Sequence, residues 1–206
     1  YVWQGSHPTG WSVFGGDPWR ANAQAGGGWY YAPFWDQMPD FNLRNPAVLA
    51  WHQDHLRFWL NRGVDGFRFD AVGNLIENGA TAWESQPESR ALMGQVQALL
   101  ARYTRRYLVC EAPGDPLGYA APSACGSAFA FGHHGNLVRA ARGDTPALAA
   151  VAEHLRSAPA TMATMLANHD SFAGDRLWNQ LAGNSVQMKL AASMLLLGPG
   201  VPFIYY

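Results

Sequence analysis

The fold is decided by the stretch Gly63-Val64-Asp65-Gly66-Phe67-Arg68-Phe69-Asp70-Ala71-Val72, which predicts a short buried strand after a helix. Because side chains alternate between the two faces of a strand, Arg68 and Asp70 point the same way. A neighbouring arginine keeps a carboxylate ionised, and an ionised carboxylate at a strand end is a candidate nucleophile. A purely structural role, in which Asp70 caps the next turn and Arg68 pairs with it, fits this stretch equally well.

Two later strands also end in carboxylates. The run from Tyr107 to Cys110 leads into Glu111, and the run 161–166 is followed by Asn168-His169-Asp170. Helical patterns separate these strands, and strands that alternate with helices predict a parallel sheet. In a β/α barrel the carboxyl ends of the strands converge on the face that carries the active site. We therefore predict an α/β fold, a partial (β/α)8 TIM barrel, in which Asp70, Glu111 and Asp170 meet.

Hydrophobic periodicity and capping residues predict the remaining elements. Asn45-Pro46 begins the first helix, with asparagine as N-cap and proline in the first turn. Its apolar face consists of Val48, Leu49, Leu56, Trp59 and Leu60. The predicted helices are 45–62, 88–105, 146–156 and 185–197; the further strands are 107–111, 127–131, 161–166 and 201–206; loops cover 73–87, 112–127 and 1–44, the last with one or two short strands near 29–31.

The composition excludes several classes of partner. The chain has 206 residues, and its 14 Lys+Arg against 15 Asp+Glu give a net charge of -1 without a basic run. We therefore expect no binding to nucleic acid or to an anionic membrane surface. Glycines and prolines interrupt the apolar run 190–206, so it does not predict a membrane span. The chain opens on Tyr1 without a methionine and is expected to be a fragment, which leaves its compartment open.

Neither the cysteines nor the histidines predict a metal site. Cys110 and Cys125 form no metal-binding or redox pattern; a disulfide and two reduced thiols are both compatible with their spacing. The pairs His52/His55 and His133/His134 have no acidic or thiol partner at ligand spacing.

Three convergent carboxylates suit the cleavage of a glycosidic bond with retention. This reaction needs a carboxylate nucleophile and a carboxylic acid about 5–5.5 Å away, and the pKa of the acid must be raised. Glu111 stands in an apolar context and suits the acid, whereas Asp70 beside Arg68 suits the nucleophile. Asp170, next to the donor His169, suits a group that binds sugar hydroxyls and stabilises the transition state.

These motifs resemble the conserved regions of the α-amylase family of glycoside hydrolases. The segment 66–71 resembles the second region, Glu111 stands at the acid/base of the third, and 168–170 matches the fourth. Met38-Pro39-Asp40-Phe41-Asn42 resembles the fifth region and 201–206 the eighth barrel strand. The fifth-region form is similar to an intermediate group between the oligo-1,6-glucosidases and the neopullulanases.

The resemblance implies barrel strands four to eight, with residues 1–42 as the tail of a protruding domain and 43–206 as the C-terminal part of the catalytic barrel. It implies Asp70 as nucleophile, Glu111 as acid/base and Asp170 as stabiliser, with Arg68 and His169 binding the substrate. No cofactor is required by the chemistry. A structural calcium ion is possible but is not supported by this fragment, in which Gly73-Asn74 replaces the Lys-His of many α-amylases.

The expected substrates are α-glucans or short malto- and isomalto-oligosaccharides. Two alternatives to hydrolysis remain: a glucosyltransferase, in which a sugar hydroxyl replaces water at the same site, and a non-catalytic barrel. The sequence does not decide between α-1,4 and α-1,6 linkages. Without the first three barrel strands, the fragment alone is expected to be aggregation-prone and inactive.

Overall fold

Two kinds of sheet make up the chain. The computed structural model describes residues 1–24, 26–170 and 174–205. Short antiparallel strands come first, and parallel strands that alternate with helices follow. The elements are β1 (Trp3–Gln4), β2 (Trp19–Ala21), β3 (Trp29–Tyr31), α1 (Pro46–Asn61), β4 (Gly66–Phe69), α2 (Pro87–Leu100), β5 (Tyr107–Cys110), α3 (Pro116–Ala120), α4 (His133–Ala141), α5 (Thr145–Ser157), β6 (Ala163–Thr164), α6 (Leu177–Gln180), α7 (Ser185–Leu197) and β7 (Val201–Pro202).

The parallel strands lie side by side in the order of the sequence. β4 pairs with β5, and β6 pairs with β7. Two single parallel bridges, Cys110 to Ala128 and Phe129 to Ala163, join these pairs through the segment predicted as strand 127–131. Neighbouring parallel segments with helical connections are the repeating unit of a β/α barrel. The predicted α/β fold, a partial (β/α)8 barrel, is therefore confirmed.

Strand β4 is half-buried along its whole length, whereas the sequence predicts a buried strand. Within the described residues, β5 is its only paired neighbour, so its other edge has no strand beside it. On the paired side the two strands approach closely. A Cβ at Gly66 would lie 1.9 Å from the carbonyl oxygen of Tyr107, so only glycine fits there.

Helix α1 begins as predicted but buries a narrower face. The side chain of Asn45 accepts a hydrogen bond from the backbone N–H of Ala47, Pro46 is the first helical residue, and Gly63 follows the end with a φ of 93°. Leu60 is buried, but Trp59 is 50% exposed, so its predicted place on the apolar face is wrong. Helix α2 ends at Leu100 rather than 105.

The sequence predicts α5 and α7 and misses three other helices. Helix α7 has the predicted bounds, with the Asn184 side chain as N-cap. Helices α3 and α6 are short and lie in segments that we expected to be irregular or left unassigned. Helix α4 begins with His-His-Gly-Asn, residues of low helix propensity, and packs on α5 and α7 through Leu137 and Val138. None of these three carries the catalytic motifs.

The first 44 residues contain more regular structure than predicted. Strand β3 pairs in antiparallel fashion with both β1 and β2, where the sequence predicts one or two short strands. The boundary between a protruding domain at 1–42 and a barrel at 43–206 stays a prediction. No helix within the described residues is both long and apolar enough to cross a membrane.

The two cysteines, for which the sequence leaves two states open, are joined as a disulfide. Both are buried, and Cys110 is the last residue of β5, directly before Glu111. The bond therefore ties the end of this strand to the loop that contains Cys125.

Loss of this disulfide is expected to destabilise the protein by about 3 kcal/mol, the entropic value for a loop of about 15 residues. The Cys125→Ala variant of the full-length protein should therefore unfold at lower denaturant concentration in oxidising buffer. Under reducing conditions the wild type also lacks the bond, so the two midpoints should converge. Equal midpoints in oxidising buffer would contradict this prediction.

Candidate active site

Three carboxylates lie beyond the carboxyl ends of three parallel strands. Asp70 directly follows β4, Glu111 directly follows β5, and Asp170 lies beyond β6. Their charges act on one another: Asp170 contributes to the raised pKa of Glu111, and His169 contributes to the lowered pKa of Asp70. Asp170 and His169, from the third strand end, therefore act electrostatically on the carboxyl groups that follow β4 and β5.

Arg68 bridges two of these carboxylates. Its Nη1 donates a hydrogen bond to Oδ1 of Asp70 over 2.6 Å, and its Nη2 donates to Oε2 of Glu111. Strand alternation predicts only the first contact, because the second depends on the register between β4 and β5, in which Arg68 lies opposite Val109. Because the N–H groups of a guanidinium point in fixed directions, Arg68 fixes the orientation of both carboxyl groups and places a positive charge beside them.

The two bridged carboxyl groups differ sharply in environment. The side chain of Glu111 is 6% exposed and that of Asp70 is 73% exposed. Burial, followed by a hydrogen bond with Asp70, raises the pKa of Glu111 to about 7. The hydrogen bond with Glu111, together with the positive charge of Arg68, lowers the pKa of Asp70 against the effect of its own partial burial. A proton shared by this pair therefore resides on Glu111 while Asp70 stays ionised.

Backbone hydrogen bonds fix the two strand ends relative to each other. The N–H of Glu111 donates to the carbonyl of Phe69 over 2.8 Å, and the N–H of Val72 donates to the carbonyl of Glu111 over 3.0 Å. Between them, Ala71 adopts a left-handed conformation with φ 44° and ψ 40°. This conformation is costly for alanine and turns the chain away from the strand immediately after Asp70. An alanine in the sequence does not indicate this left-handed conformation.

The third strand end is held by a short local network. The side-chain oxygen of Asn168 accepts a hydrogen bond from the N–H of Asp170 over 2.7 Å, and Nε2 of His169 lies 3.4 Å from Oδ2 of Asp170. The ring of His169 lies 6.0 Å from that of Tyr205, beyond β7, a neighbour that the sequence did not single out. The network orients Asp170 and His169, whose charges act on Glu111 and Asp70, respectively.

Metal ligands are not grouped in the part of the chain that the structure describes. No cluster of three or more histidine, cysteine, aspartate or glutamate side chains there has the geometry to hold an ion. His133 stacks on His154 instead, with ring centroids 3.6 Å apart, and burial lowers the pKa of His133 to about 4.

Comparison with known proteins gives one family. Residues 1–206 match the family model described as "Alpha amylase, catalytic domain". The trehalose synthase/amylase TreS of Mycolicibacterium smegmatis is 31% identical over 219 residues, which cover 86% of this chain and 37% of TreS. An alpha-glucosidase of Culex pipiens is 49% identical over 84 residues, which cover 38% of this chain and 14% of that enzyme.

Solved structures share the fold. The alpha-glucosyl transfer enzyme XgtA superposes with a TM-score of 0.75 at 21% identity, over 100% of this chain and 45% of XgtA. At this identity the likeness shows the fold alone. The chain spans less than half the length of each of these relatives.

Proposed function

The chain belongs to the α-amylase family, and we propose that it is the catalytic part of a retaining glycoside hydrolase that cleaves α-glucosidic bonds in short α-glucans. The observation that carries this proposal is the divided environment of Asp70 and Glu111, bridged by Arg68. One carboxyl group is held ionised and the other protonated near neutral pH, as double displacement requires.

The reaction would run in two steps on these two groups. Asp70 attacks the anomeric carbon while Glu111 transfers its proton to the leaving glycosidic oxygen, which gives a covalent glucosyl ester on Asp70 and a free sugar. Glu111, now ionised, takes a proton from water as the water oxygen attacks the anomeric carbon and the ester bond to Asp70 breaks. The product keeps the α configuration, and Glu111 regains its proton.

The remaining site residues would bind and orient the substrate. We assign to Asp170 the hydrogen bonding of sugar hydroxyls and the stabilisation of the oxocarbenium-like transition state, and to His169 a donated hydrogen bond to the same sugar. Arg68 holds both reacting carboxylates in place. This chemistry uses only side chains of the chain itself, so the proposal requires no cofactor, and structural calcium forms no part of it.

Transfer of the glucosyl group is a second candidate at the same site. The relative TreS carries both activities, synthase and amylase, in its name. In transfer, a sugar hydroxyl replaces water in the second step, and Glu111 takes its proton in the same way. A non-catalytic barrel is disfavoured, because all three carboxylates are present with Arg68 and His169 beside them.

Proton NMR during maltotriose cleavage tests the stereochemistry of the proposal. In the full-length protein, the anomeric signal that rises first should be that of the α-anomer, before mutarotation produces the β-anomer. Products longer than the substrate at early times would identify transfer alongside hydrolysis. Initial release of the β-anomer would refute the retaining mechanism.

A further inference from the structure

A fourth carboxylate, Glu84, lies beside the two loops that leave the catalytic strand ends. Gly73 and Gly114 are each three residues beyond Asp70 and Glu111, respectively. A Cβ at Gly114 would lie 2.6 Å from Oε1 of Glu84, and a Cβ at Gly73 would lie 3.7 Å from the same oxygen. The carboxylate therefore lies between these loops and closer to the one that follows Glu111.

Glu84 has no partner that would explain a structural role. Its carboxylate makes neither a hydrogen bond nor an ion pair with any described residue. The nearby Arg90 is engaged elsewhere: its Nη1 donates to Oδ2 of Asp115 over 3.0 Å and to the carbonyl of Ser85 over 2.7 Å. Glu84 is half-buried, and its carboxylate oxygens are free to accept hydrogen bonds from the hydroxyls of a ligand.

The loop around Glu84 is held firmly by its backbone. The N–H of Ser85 donates to the carbonyl of Gly73 over 2.7 Å, and the side chain of Gln86 donates to the carbonyl of Glu84 over 2.7 Å. Ser85 adopts a positive φ of 51°, so the backbone turns sharply at this residue. The loop thus holds the backbone of Glu84 in place beside Gly73 before any ligand arrives.

Aromatic rings adjoin Glu84 through its neighbour Trp83. The ring of Trp83 meets that of Phe14 edge-on at 5.2 Å, and Phe14 lies 5.2 Å from Phe34. Phe14 is 58% exposed and Phe34 is 49% exposed. An exposed aromatic surface packs against the apolar face of a sugar ring, while a carboxylate accepts hydrogen bonds from its hydroxyls. The combination fits a pyranose ring.

We propose that Glu84 binds the hydroxyls of the sugar on the leaving-group side of the scissile bond and so determines which leaving or acceptor sugar is used. This inference rests on the proposed function. Glu111 delivers its proton to the leaving oxygen, and Glu84 lies against the loop that follows Glu111. His169 and Asp170 come from a different strand end, and their charges act on Asp70 and Glu111, respectively.

Two substrates that share a glucosyl group but differ in the leaving group distinguish binding of the leaving sugar from a contribution of Glu84 to activity on all substrates. Maltose has a glucose leaving group, whereas p-nitrophenyl α-glucoside has an aromatic one without hydroxyls. In the full-length protein, Glu84→Gln should lower kcat/KM for maltose by about 10- to 100-fold and that for the nitrophenyl glucoside by less than about 3-fold. Glu88→Gln, which removes an exposed charge four residues later, should change neither value.

Parallel losses on both substrates, or no loss on maltose, would overturn the role of Glu84. Failure of the wild type to cleave either substrate would instead count against the proposed function. A binding measurement keeps the two apart: maltose should bind the Asp70→Asn/Glu84→Gln double variant about 10-fold more weakly than Asp70→Asn alone. An unchanged Kd in this titration, or no binding to either protein, would also overturn the inference.

A glycine substitution tests the position of the carboxylate without changing its charge. Gly114→Ala would place a methyl group 2.6 Å from Oε1 of Glu84, so the carboxylate must move, and the selective loss on maltose should reappear. Gly73→Ala makes only contacts of 3.4 Å or more and should cause a smaller loss. Equal effects of the two alanines would contradict the placement of Glu84 against the loop after Glu111.

Discussion

Asp70→Asn is expected to lower kcat for α-glucoside cleavage by at least about 10³-fold, because an amide cannot form the covalent intermediate. The asparagine keeps the size of the side chain and its place at the end of β4, and Arg68 keeps its contact with Glu111. The fold should therefore survive. The measurement is the rate of glucose release from maltose by the full-length protein, with thermal unfolding monitored in parallel.

A matched control lies five residues earlier. Asp65 precedes β4 and has a side chain that is 98% exposed, with an ion pair to Arg106 at 3.6 Å. Asp65→Asn should leave kcat unchanged. Azide offers a second control: in Asp70→Gly it can attack the anomeric carbon from the vacated side and give the β-glucosyl azide. Turnover by Asp70→Asn at the wild-type rate would exclude Asp70 as the nucleophile.

Glu111→Gln is expected to lower kcat/KM for maltose by about 10² to 10⁴-fold, the usual contribution of a general acid. The glutamine cannot protonate the leaving glucose oxygen. Glucosyl fluoride needs no such proton, because fluoride leaves as the anion. The substitution should therefore lower the rate of the first step far less for glucosyl fluoride than for maltose. Equal losses on maltose and glucosyl fluoride would contradict the role of Glu111 as acid.

The pH dependence of kcat/KM in the wild type should reflect the pKa of Glu111. Glu111 must be protonated for the first step, and its pKa is raised to about 7, so kcat/KM for maltose should fall as pH rises through about 7. Asp70 must be ionised, and its pKa is lowered, so the acid limb should lie below the ordinary range of an aspartate. In Glu111→Gln the limb near 7 should vanish, while in Asp65→Asn it should persist.

Local signals in the sequence predict much of the helical framework. Asn45 and Pro46 define the start of α1, and Asn184 defines that of α7, because each cap is made by residues next to one another in the chain. The alternation of strands with helices predicts the barrel, and that fold in turn brings carboxylates 41 and 59 residues apart to one face. These predictions depend on short-range chemistry and on one general rule of topology.

The properties that tune the site depend on tertiary contacts and are not visible in the sequence. The bond from Arg68 to Glu111 requires the register of β4 and β5, and the left-handed Ala71 is held by a hydrogen bond from Val72 to Glu111. Helix α4 forms despite its weak helical start, because its apolar side packs on α5 and α7. Tertiary packing also decides the exposure of Trp59, because within the described residues α1 packs inward mainly through Leu56 and Leu60.

The most direct test of the mechanism is to trap the intermediate on the full-length protein. A 5-fluoro-α-glucosyl fluoride forms the glucosyl ester but hydrolyses slowly, because the second fluorine destabilises the oxocarbenium-like transition state. Peptide mass spectrometry should find one fluoroglucosyl group, attached to Asp70, and none in Asp70→Asn. A label on Glu111, on Asp170 or on any other residue, or no label on an enzyme that still turns over maltose, would contradict the account.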